Sequence, residues 1–113
     1  RDRTRGERIS IEHAVRRQTA DTAAMYGLHD RGRLAPGLIA DLNVIDYDRL
    51  RLNKPYIAYD LPAGGRRLLQ TAEGYVATIK SGVVTFREGQ HTGAVPGRLI
   101  RGPQAEPLRQ AAE

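Results

Sequence analysis

GLHDRGRLAPGLIADLNVID, Gly27 to Asp46, is the stretch on which the reading of this chain turns. It runs from a helix end through a polar bend and a Pro-Gly turn into the first convincing strand. Gly27 suits the left-handed position that closes a helix, with Leu28 folding back as the hydrophobic contact of the cap. Asp30 to Gly32 reads as a charged turn. Pro36-Gly37 has the composition of a type II turn, Pro fixing φ and Gly accepting a positive one. Leu42 and Val44 then point one way and Asn43 and Ile45 the other, which is strand periodicity, with Asp41 as a turn acceptor at the strand edge. The pattern is helical before this stretch and strand and turn after it, so the fold class is α+β.

Upstream, residues 1 to 8 hold no apolar position and are expected to be mobile or to contact something else. Ser10 is the natural N-cap of a helix, and Glu12 adds negative charge to its first turn. Ile11, Ala14, Val15 and Gln18 follow at helical spacing, with Arg16 and Arg17 on the wet side. Thr19 reads as a break and a second cap, before a short helix from Ala20 to Tyr26 that buries Ala20, Ala23 and Ala24.

Downstream, the periodicity weakens between Tyr47 and Gln70, where Pro55, Pro62, Gly64 and Gly65 punctuate the sequence, and a long loop is expected over 47–70. Order returns at Gly74. Tyr75, Ala77 and Ile79 alternate with Val76, Thr78 and Lys80, and Ser81-Gly82 makes a two-residue turn into Val83 to Arg87, closed by Glu88-Gly89. This is the strongest hairpin signal in the chain. The tail from His91 has one apolar pair, Leu99 and Ile100, and a terminal segment expected to fray. The division that follows is a helical segment over 1–30 and a strand-rich part over 31–113.

The chain has 113 residues, 18 Lys plus Arg against 13 Asp plus Glu, one Phe, five Tyr and no Trp, so aliphatic side chains must supply nearly all the packing. A chain of this size has little core to spare. No cysteine is present, which excludes disulfides and thiol chemistry and fits a reducing compartment; a cytoplasmic location is the expectation. No run approaches the length of a membrane span. The formal charge of +5 permits contact with nucleic acid, but no aromatic RNA-binding run, zinc-finger pattern or recognition helix accompanies it. Its first residue, Arg1 rather than Met, suggests a fragment, a processed product or a deliberately trimmed chain.

Candidate chemistry is sparse. His13, His29 and His91 are the only imidazoles, and no two stand at metal-site spacing. His29 lies beside Asp30 just past a helix end, and His91, before Thr92-Gly93, is the best placed to line a site. Asp30, Asp41, Asp46, Asp48 and Asp60 sit in or beside loops without a fixed acid/base pair. Gly64-Gly65-Arg66-Arg67 has an anion-cradling composition but lacks the spacing of a phosphate loop. Ser10 and Ser81 have structural roles as cap and turn residue. From the residues alone, no catalytic, cofactor-binding or metal position is assigned.

The order of signals resembles one enzyme group. TADTAAMYGLHDRG at Thr19 to Gly32, GRLAPGLIADLNVID at Gly32 to Asp46, GYVATIKSGVVTFREGQHTGAVPGRLIRG at Gly74 to Gly102 and, more loosely, DLPAGGRRL at Asp60 to Leu68 are similar to the C-terminal end of amidohydrolases of the N-acyl-D-amino-acid deacylase (D-aminoacylase-like) group. The resemblance implies a metal-dependent (β/α)8 barrel followed by strands that join N-terminal ones in a small, urease-like β-sandwich. Ile11 to Leu28 would be the last helical region beside the barrel. Ala40 to Asp46, Tyr75 to Lys80 and Val83 to Arg87 would belong to the sandwich. Zinc or another divalent metal is implied for the parent enzyme, held by an H-x-H motif, further histidines and an aspartate from upstream strands that no position here matches. The implied partner is the upstream barrel portion, with self-association through uncovered apolar surface or strand edges as a second route. A free-standing interaction module, with Ile11, Val15, Val44 and Ile79 in its own core, and a nonspecific nucleic-acid-binding basic domain are the alternatives.

Overall fold

The computed structural model describes residues 5–107. Expectations for residues 1–4 of the basic arm and for the segment after 107 lie outside the described residues; residues 5–8 are exposed and carry neither helix nor strand. The fold is α+β: two short helices, then strands in three small sheets. The chain divides into two compact units, one drawn from both ends, 5–40 and 98–107, and the other Asp41–Gly97.

In the first unit, α1 (Ile11–Gln18) begins where the Ser10 hydroxyl accepts the His13 backbone N–H at 3.2 Å, satisfying one of the orphan donors of a helix start. Thr19 separates it from α2 (Ala20–Met25), but its side chain does not cap that helix. The hydroxyl instead donates back to Val15 O at 2.8 Å, a competing local bond open to any threonine four residues on. Gly27, at φ +68°, donates to Ala24 O, and Leu28 N donates to Ala23 O, the paired bonds of a Schellman ending. Ala23 is buried at 8% exposure and Ala24 is exposed, so the small-residue face is narrower than its composition implies.

Two further contacts close the unit. A β-carbon on Gly32 would stand 2.6 Å from Ala23 Cβ, so the bend reaches the helix only because position 32 is bare. Gln104 forms a parallel bridge with Leu28, accepting from His29 N and donating to Gly27 O. At Pro36-Gly37 the Leu38 N–H reaches Ala35 O and Gly37 takes φ +86°, the geometry of a type II turn.

The second unit is built around β6 (Tyr75–Lys80). It lies between β1 (Leu42–Ile45) and β7 (Val83–Arg87), and β8 (Gln90–His91) pairs outside β7, all antiparallel. Ser81 and Gly82 both take positive φ in the turn between β6 and β7, as its right-handed twist requires. Leu42 pairs with Ile79 and Val44 with Ala77, which puts these four on one face; Ala77 is the buried one, at 8% exposure. Thr85, at an irregularity in the β6–β7 register, is buried with its hydroxyl donated to Thr78 O.

The 47–70 segment is not the loop expected of it. It holds β2 (Arg51–Leu52), which pairs with β5 (Ala72–Glu73), and the hairpin of β3 (Tyr56–Leu61) with β4 (Gly65–Leu69), joined by a 3-10 turn at Pro62–Gly64. Alternation is missing there because the hairpin carries apolar residues on both faces, Ile57 opposite Leu68 and Tyr56 opposite Leu69. A two-stranded ribbon of this kind is marginal by itself in water. Ile57, Tyr59 and Leu68 are 52%, 68% and 70% exposed.

Candidate functional site

The sites of chemistry suggested by sequence are dispersed in the structure and mostly hold the backbone. His13 sits on α1, exposed. His29 is exposed and enters the bridge to Gln104 through its backbone. His91, the best placed of the three by sequence, lies on β8: its Nδ1 accepts the Gly93 N–H at 3.0 Å, and its ring meets Phe86 edge-on with centroids 5.0 Å apart. Through that bond and ring contact the imidazole fastens the strand end.

The carboxylates divide in the same way. Asp41 accepts the Lys80 ammonium at 2.8 Å and the Ser81 backbone N–H at 2.8 Å, tying the start of β1 to the β6–β7 turn. It is a turn acceptor, though for a turn 40 residues away rather than its own. Asp46 receives the backbone N–H groups of Asp48 and Arg49, a local Asx arrangement. Asp30 is buried and takes both Arg31 Nε and a terminal guanidinium nitrogen. Asp60 accepts two bonds from Arg67, at 2.8 and 2.6 Å, and is held below the ordinary carboxylate value by that guanidinium. Asp21 is lowered through its bond to Arg16, and Glu73 through its bond to Arg51.

The Gly64-Gly65-Arg66-Arg67 loop does not bring two guanidiniums to one point. Arg67 is committed to Asp60, and Ala63 and Gly64 take successive positive φ angles, as a tight hairpin tip requires. Among the described residues no group of three or more His, Cys, Asp or Glu could hold a metal ion. The donors in these residues therefore do not fit the metal that the resemblance implies for the parent. Nor, among the described residues, is any helix long and apolar enough to cross a membrane.

Uncovered apolar surface was expected from the sequence, but not which side chains form it. Ile11, Val15, Met25 and Tyr26 in one unit, and Val44, Ile57, Tyr59 and Leu68 in the other, lie open although their types favour burial. Composition signalled this only through the scarcity of large aromatic residues; among the described residues the buried apolar side chains are Ala23 and Ala77.

Comparison with known proteins adds identity to this geometry. The adenine deaminase of Methanoculleus marisnigri is 45% identical over 49 residues, a stretch that is 42% of this chain and 10% of that protein. The chain thus matches about a tenth of the length of that relative. No solved structure matches it. The sequence pattern of the amidohydrolase family extends over residues 1–86, through both helices, β1 to β6 and most of β7; on that coverage the chain belongs to the amidohydrolase family.

Proposed function

We propose that this chain is the C-terminal structural portion of a metal-dependent amidohydrolase that hydrolyses the amide bond of N-acyl-D-amino acids in the cytoplasm, and that it turns over nothing alone. Residues 1–30 would be the terminal helical segment of the barrel domain and 31–113 the C-terminal part of a composite β-sandwich. The observation that carries this reading is the open apolar surface within a family member that buries only Ala23 and Ala77 as apolar core among the described residues. Covering Ile57, Tyr59 or Leu68 with upstream chain would be worth up to about 1.5–3 kcal/mol each, depending on how much of the side chain is closed off. The free-standing module has less support: it needs Ile11, Val15, Val44 and Ile79 inside, and the first three are exposed while Ile79 is half-buried. Nonspecific nucleic-acid binding is weakened too, because Arg16 and Arg17 are both engaged by Asp21.

The substrate class rests on the motif resemblance over Thr19 to Gly102. A second reading, deamination of a purine, has the identity to an adenine deaminase in its favour. Both reactions add water at a carbon that loses nitrogen, so the family likeness alone supports either. Intact-mass and native-size measurements on the source polypeptide, followed by assay with N-acetyl-D-amino acids and with adenine, separate them. The proposal expects a species well above 12.5 kDa that releases D-amino acid and loses activity to a chelator, while the 113-residue chain with zinc releases none. Turnover of adenine alone would transfer the assignment to the deaminase reading. A sole species of 12.5 kDa would end both.

A further inference from the structure

We draw no further inference here: the strongest candidate, the apolar face around Ile57, Tyr59 and Leu68 on the two-stranded β3–β4 hairpin, is exposed and without a partner strand beyond its own pair among the described residues, but nothing in the structure shows what covers it.

Discussion

A β-carbon at position 74 has no room. It would stand 2.7 Å from Leu50 Cα and 2.9 Å from Asp46 O, on a residue already at φ +92°. Gly82 has a comparable φ of +79° but nothing within 4 Å. The two positions separate backbone strain from collision. Gly82→Ala should cost about 1 kcal/mol, the usual charge for a left-handed alanine, and Gly74→Ala about 2–4 kcal/mol because backbone must also move. Urea midpoints of the two variants test this, and equal shifts would refute the collision. Asp41 offers a second comparison. Asp41→Asn keeps an acceptor for Ser81 N–H and loses the ion pair with Lys80, whereas Asp41→Ala loses both. The alanine variant should be the less stable by about 1 kcal/mol, read from the same unfolding curves.

Among the elements, β6 is bonded on both edges, while among the described residues β3 and β4 have only each other. Amide hydrogen exchange should therefore be slowest in Tyr75–Lys80 and markedly faster in Tyr56–Leu61 and Gly65–Leu69. Uniform protection would mean the hairpin is supported as well as the larger sheet. Acid should loosen several elements together. Asp21 in α2, Asp60 in β3 and Glu73 in β5 all have carboxyls held below their ordinary values by guanidiniums. A depressed carboxyl contributes its stability above the unfolded pKa and loses it as pH falls through the folded one, so the loss belongs below about pH 4. These pairs are exposed and screened by salt. The thermal midpoint should fall between pH 5 and pH 3, and molar salt at pH 7 should reproduce part of that loss.

What could be read from sequence at this scale was local. The Ser10 cap, the Gly27 ending, the Pro36-Gly37 turn and the Ser81-Gly82 hairpin each depend on residues within a few positions of one another. The β3–β4 hairpin was not legible because YIAYDL has no polar alternation, and Pro62 to Gly65 reads as punctuation whether it ends a loop or turns a ribbon. Asp41 was legible as an acceptor but its donors, Lys80 and Ser81, were not, since nothing near Asp41 announces them. Of the candidate site the sequence offered only three separated histidines and no cysteine, which is no local ligand set.

At the scale of the whole molecule, two buried alanines among the described residues stand against many open Leu, Ile, Val and Tyr side chains. The purified chain should enhance the fluorescence of an apolar dye under native conditions, and Tyr59→Lys with Leu68→Lys should diminish that signal without removing the β6–β7 hairpin. Undiminished dye binding would assign the sticky surface elsewhere, to the stripe of Ile11 and Val15.

The bridge of Gln104 to Gly27, Leu28 and His29 also orders events on the ribosome. Both helices emerge before the strands of Asp41–Gly97, yet the position that fastens their C-terminal side is translated only after all of that unit. The later-made unit can pair β1, β6, β7 and β8 while the earlier-made one still waits for its last contact, an inversion of the usual first-made, first-folded sequence. A nascent chain stalled with Gly97 clear of the exit tunnel should already protect the β6 amides but leave those of Gly27 to His29 open to exchange.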